Sequence, residues 1–163
     1  MQKLRLDKGI SLSQLAAGAG IAKSNLSRLE QGNGNPTLDT IWRLAKQLGV
    51  PFGALVQPLS SSVGEKGVEV RLIEQGKGRP NVDAYWMSIA PNTTREAEAH
   101  AKGTQETIVL VSGSLEAGNT DNAACLTPGE SVTFNADLPH VYKTQDAWAT
   151  CLITIVYNKD VSE

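Results

Sequence analysis

Apolar residues follow two different periods along this chain, and the change from one to the other comes after Gly67. Over residues 11–32, SLSQLAAGAGIAKSNLSRLEQG, they recur at three- and four-residue steps. Leu12, Leu15, Ala16 and Ala19 line one face of a helix, and Ser11 with Gln14 can start that helix as a capping box. Gly18 and Gly20 supply the backbone freedom of a sharp reversal. A second helix follows, with Ile21, Leu26 and Leu29 inward and Lys23, Ser24, Ser27, Arg28 and Gln31 outward; Gly32 ends it in the left-handed cap position. Thr37, after Pro36, caps a further helix whose apolar stripe is Leu38, Ile41, Trp42, Leu44, Ala45 and Leu48, closed by Gly49. A tryptophan at helical spacing reads as core, so Trp42 is assigned no functional role. Pro51 opens a last short helix through Leu55.

Residues 58–67, PLSSSVGEKG, are rich in Ser and Gly and lack apolar periodicity, as an exposed linker would. Beyond them the pattern shortens and alternates. VEVRLIEQ, VDAYWMSIA, ETIVLVSGSLEA, ESVTFN, HVYK and WATCLITIVY are β-branched and aromatic, separated by Gly, Pro, Asn and Asp. Many short strands in about ninety residues predict an antiparallel sandwich or small barrel. The expected organisation is therefore α + β in two domains: an all-α bundle over 1–57, a linker over 58–67 and an all-β domain over 68–163.

Composition sharpens this division. The 163 residues carry a net charge of −2 and are 40% hydrophobic, enough for ordinary cores. The charge is split unevenly: residues 1–57 hold seven Lys/Arg against three Asp/Glu (+4), and residues 58–163 hold eight against fourteen (−6). A basic part that meets phosphate and an acidic part with another task fit that asymmetry. No apolar run reaches the length of a membrane span, and MQKLRLDKG lacks the apolar core of a secretion signal, so a cytoplasmic protein with no membrane partner is expected. Cys125 and Cys151 match no zinc spacing and read as buried thiols.

The outward face of the second helix carries two cations and small hydroxyls, with no carboxylate before Glu30. Slim polar side chains near a helix start, with cations to meet phosphate, suit the DNA major groove. Three stretches in order, LRLDKGISLSQLA, then G-I-x-x-S-x-L-S-R-L-E-x-G, then NPTLDTIWRLAKQLGVP, resemble the lambda-repressor-like helix-turn-helix domain of the XRE family of bacterial regulators. That resemblance implies base-facing positions at Ala22, Lys23, Ser24 and Ser27, with Arg28 beside them. It implies backbone contacts at Ser11, Ser13 and the loop of Asn33 and Asn35, and it makes Arg5 and Glu30 an interior ion pair. Arg43 is expected as a further DNA-contacting cation that acts weakly and without sequence preference. The chain departs from the family at Ala22, where Ser or Thr is usual; losing that N-cap costs about 1 kcal/mol of helix stability. Met1 stands only ten residues before Ser11, which shortens the first helix and leaves room for a native start further upstream.

The two histidines both lie in the β-rich part. EAEAHAKGTQETIVLVSG resembles the first cupin motif through Glu106 and Gly113, and PGESVTFNADLPHVYK resembles the second, with His140 at its ligand position. The resemblance implies a double-stranded β-helix (jelly-roll) cupin domain. One motif histidine is missing: His100 takes one position, and either Glu98 or Lys102 falls at the other. His100, Glu106 and His140 are the candidate metal ligands. Neutral imidazoles with a carboxylate suit a divalent ion, zinc first; lost histidines also mark cupins without metal, so a metal-free pocket remains the alternative. Tyr85, Met87, Arg95, Phe134 and Tyr142, together with Trp86 and Trp148, are candidate pocket residues, of which strand parity admits about half.

Together these features predict a non-enzymatic, one-component transcription factor: a homodimer that recognises a double-stranded DNA operator and whose cupin domain binds a small-molecule effector. The likeness to XRE–cupin regulators linked to sulfur use implies an amino acid or sulfur compound. The alternative is a metal-dependent cupin enzyme of dioxygenase or isomerase type with an accessory helix-turn-helix. The incomplete ligand set and the absence of a GxGxxG or P-loop motif stand against it.

Overall fold

The computed structural model describes residues 1–34, 36–55 and 63–157. Four helices come first: α1 (Gln2–Asp7), α2 (Leu12–Gly18), α3 (Lys23–Glu30) and α4 (Leu38–Leu48), then a 3₁₀ turn at Phe52–Ala54. The capping box forms at α2: the Gln14 amide donates to Ser11 Oγ at 3.2 Å, and the Ser11 amide to Gln14 Oε1 at 2.9 Å. The chain reverses at Gly20 (φ +63°), a conformation that costs a residue with a Cβ 1–2 kcal/mol. Leu15, Ala16, Ala19, Leu26, Leu44 and Leu48 make the core between α2, α3 and α4. Arg5 pairs with Glu30 through two bonds, 2.7 and 2.8 Å, and donates to the Ile10 carbonyl at 3.0 Å, which ties α1 to the end of α3. That interior ion pair agrees with the reading of the sequence.

Ten strands follow. β1 (Val63–Glu65), β2 (Val68–Gln75), β3 (Asn81–Ile89), β5 (Thr104–Ser112), β8 (Ser131–Asn135) and β10 (Ala149–Tyr157) form one antiparallel sheet in the order β1-β2-β3-β10-β5-β8. β4 (Thr94–Ala97), β6 (Leu115–Asn119), β7 (Asn122–Leu126) and β9 (His140–Lys143) form the other, ordered β4-β9-β6-β7. β3 and β10 alternate buried and half-buried residues along their length, so each gives one side to the core. Rows such as Tyr85–Ile153–Ile108 and Met87–Cys151–Leu110 cross the large sheet and meet Leu115, Ala117 and Tyr142 of the small one. The expected cupin jelly roll is present as two facing sheets; among the described residues no hydrogen-bonded ladder joins them into a closed barrel.

Residues 58–62 of the expected linker, and Asn35, lie outside the described residues. Residues 63–65 pair as β1 with β2 across a turn at Lys66 and Gly67. The helices and the sheets share one core: Leu38 and Ile41 of α4 and Phe52 pack with Val68, Val70, Leu72 and Tyr85. Beneath them the Phe52 amide donates to the Tyr157 hydroxyl at 3.2 Å and the Gly53 amide to Asp83 Oδ2 at 3.1 Å. A Cβ on residue 53 would sit 2.9 Å from that carboxylate oxygen, so the close approach requires glycine.

Candidate functional site

On α3 only Leu26 is buried. Ala22, Lys23, Ser24, Asn25 and Arg28 are exposed and Ser27 is half-buried, so the helix presents the polar face that its spacing predicts. Ser11, Ser13 and Asn33 are exposed nearby in the chain. Arg43 is different: it lies on α4, 3.8 Å from Glu98 of the β domain, and donates to the Asp39 carbonyl.

The second constellation lies between the sheets. Strand parity sends Glu106 of β5 and His140 of β9 inward, and His100, in the loop before β5, is held by a bond from its amide to the Ala136 carbonyl at 2.8 Å. All three side chains are buried. Glu106 Oε2 is 3.7 Å from His100 Nε2 and 4.0 Å from His140 Nε2. Tyr142 donates its hydroxyl to Glu106 Oε1, and His140 Nδ1 bonds the Leu138 carbonyl at 2.9 Å. Those bonds aim Oε2 and Nε2 at a common point, and neither atom has a hydrogen-bond partner within the protein. Burial, assisted by the nearby Arg95, pushes His100 down to about 3; burial also lowers His140 and raises Glu106. The imidazoles are thus neutral at physiological pH, with lone pairs free to ligate. Tetrahedral ligands at zinc bond lengths stand about 3.4 Å apart; these donor atoms all lie within 4.8 Å of one another and would draw closer around an ion. The residues fit a divalent metal.

Of the pocket residues expected from sequence, Tyr85, Met87, Arg95 and Tyr142 line the cavity beside this cluster. Phe134 is buried 5.3 Å from the His140 ring, outside the lining; Trp86 occupies the opposite strand face to Tyr85, and Trp148 is 56% exposed. Neither Glu98 nor Lys102 reaches the cluster, because both are exposed. Instead the helical head supplies part of the cavity wall through Leu38, Trp42 and Phe52. Trp42 stacks on His100, ring centroids 3.5 Å apart and planes 15° apart. Trp42 packs on the hydrophobic core as its spacing predicts, and that core belongs largely to the β domain: helical spacing reports that a face is buried but not what it is buried against. Asp39, overlooked in the sequence, bonds Arg95 at 2.7 Å.

Comparison with known proteins places the two halves. Residues 1–55 match the family described as Helix-turn-helix (HTH_3). An uncharacterized HTH-type transcriptional regulator of Sinorhizobium fredii, y4dJ, is 41% identical over 56 residues, 34% of this chain and 73% of that protein. The chain belongs to the XRE-type helix-turn-helix regulators. The similarity extends beyond the head: the HTH-type transcriptional regulator SutR of Escherichia coli is 28% identical over 149 residues, 88% of this chain and 84% of SutR. An HTH_3 family transcriptional regulator from Vibrio cholerae shares the fold across both halves, with a TM-score of 0.85 at 22% identity, covering 97% of this chain and 93% of that one. The cupin domain of an XRE family regulator from Enterobacter cloacae matches 56% of this chain and 97% of its own length, with a TM-score of 0.51 at 23% identity. This XRE-type protein is accordingly a transcriptional regulator with a helix-turn-helix head and a cupin domain, and heads of its class bind DNA. No helix among its described residues is long and apolar enough to cross a membrane.

Proposed function

We propose that this regulator binds a two-fold DNA operator as a homodimer and that its cupin domain binds a small-molecule effector beside a divalent metal, zinc first. Ala22, Lys23, Ser24 and Ser27 face the base edges with Arg28 beside them; Ser11, Ser13, Asn33 and Asn35 meet the backbone, and Arg43 adds positive charge. His100, Glu106 and His140 hold the ion, whose chemistry would be that of a Lewis acid with a position open to a ligand. The supporting observation for the second half is the convergence of three buried donor groups whose facing Glu106 and His140 atoms lack partners. Tyr142 and the Leu138 carbonyl orient two of the three, as groups behind metal ligands do. Relatives that are regulators favour this reading over the cupin enzyme.

Selection of the full-length protein on a randomised duplex pool tests the first half. One preferred two-fold site is expected, with affinity falling steeply as salt rises. Lys23→Ala should weaken binding and relax base preference, whereas Arg43→Ala should weaken it slightly on all sequences. Equal losses on every duplex for both variants would refute the assignment of α3. Native mass spectrometry tests the second half: His140→Ala should lose the ion and keep a folded head, and full metal retention would remove His140 from the site.

A further inference from the structure

The cavity above His100, Glu106 and His140 has about 30 Å³ of space. That is roughly enough for one or two waters, whereas pockets for organic ligands begin near 300 Å³. Leu38 and Trp42 of α4 form part of its wall, and Asp39 lines the neighbouring cleft, with Arg95 common to both. Asp39 and Trp42 lie one turn apart on α4 and present a carboxylate and a flat ring to the β domain. The carboxylate accepts from Arg95 Nη2 at 2.7 Å, and the ring covers His100. Arg95 stands on β4 opposite Tyr142 of β9, with its side chain 8% exposed, so its charge is largely shielded from water.

We infer that Asp39 and Trp42 occupy the effector's own position as a tethered stand-in, and that the effector is a small carboxylate with a flat or apolar body. The inference rests on the effector-binding reading above and adds the ligand's chemical class and the way it acts. An incoming carboxylate competes with Asp39 for Arg95, because the planar guanidinium fork pairs with either carboxylate. The ligand's flat body takes the face of His100 from Trp42. Ligand binding and docking of α4 on the β domain then exclude one another. That exclusion supplies the difference in affinity between two arrangements that any shift of population requires. α4 packs on α2 and α3 through Leu44 and Leu48, so its release moves the DNA-reading helix relative to the cupin domain.

The test uses the full chain carrying Trp86→Phe and Trp148→Phe, which leaves Trp42 as the sole tryptophan. The probes are benzoate and its neutral isostere benzamide. Benzoate should shift Trp42 emission to the red in a saturable titration and benzamide should not. Asp39→Asn should lower the benzoate midpoint about tenfold by removing the internal competitor, and Arg95→Gln should raise it by at least about tenfold. Equal midpoints for the two probes, an unchanged or raised midpoint in Asp39→Asn, or no saturable response to benzoate in that variant would each overturn the inference. Metal content and operator binding are measured on the same preparations. If both persist while the benzoate pattern fails, this inference falls alone; if the operator preference is also missing, the regulatory reading falls with it.

Discussion

Replacing Asp83 by alanine should loosen the joint between the head and the cupin domain. The side chain is fully buried, and its Oδ2 accepts from the Gly53 amide at 3.1 Å, the Tyr85 hydroxyl at 2.8 Å and the Tyr157 hydroxyl at 3.1 Å. Tyr157 in turn accepts from the Phe52 amide. One carboxylate therefore gathers the 3₁₀ turn that follows α4 and two strands of the large sheet. Burial, reinforced by this neighbourhood, raises both phenols far above their ordinary value, so they remain donors at any pH the protein survives. In Asp83→Ala the Gly53 amide is left without an acceptor, at about 1–3 kcal/mol. The two phenols, 3.5 Å apart, can partly satisfy each other. With the lost packing the total is about 3–5 kcal/mol, which for a chain of this size lowers Tm by about 10 °C. Differential scanning calorimetry should show that drop and a split of one transition into two, the head melting first. Asp83→Asn keeps an accepting oxygen and should fall about half as far. A single transition within about 2 °C of the parent in Asp83→Ala would refute the view that this carboxylate joins the domains.

Two further outcomes follow from the buried cluster. Tyr142→Phe removes the bond that orients Glu106 and should weaken zinc binding about 10–100-fold in a chelator competition, with little change in fold; an unchanged affinity would show that Tyr142 does not position the ligand. In metal-free protein, stability should fall as pH drops below about 6.5, because the unfolded chain takes up the proton that buried His100 refuses until about 3. Between pH 6.5 and 4.5 that histidine contributes roughly 2–3 kcal/mol of loss. Glu106, raised by burial, works in the opposite direction. His100→Gln should therefore flatten the pH profile of the urea midpoint, and parallel profiles for parent and variant would contradict the assignment.

The sequence alone determined the features written in short-range chemistry. The capping box at Ser11, the reversal at Gly20, the polar face of α3 and the Arg5–Glu30 pair all follow from local spacing or from motifs of known order. Long β-branched strands were equally legible, because alternation over eight or nine residues has one physical solution on a half-buried sheet. β4 and β7 were not: TREA and NAACL are too short and too poor in β-branched residues to show a period, and pairing with β9 and β6 makes them strands. His100, Glu106 and His140 were found from motif spacing, while parity left the pocket residues undecided until register chose Tyr85 over Trp86. The partnership of α4 with the cupin domain, by contrast, is a property of the folded chain. Asp39 meets Arg95 across 56 positions of sequence, and Trp42 meets His100 across a similar gap. A helical stripe reveals that one side avoids water, but the same burial energy is available against any apolar surface, so the choice between the head's own core and a distant metal-site candidate was made by packing.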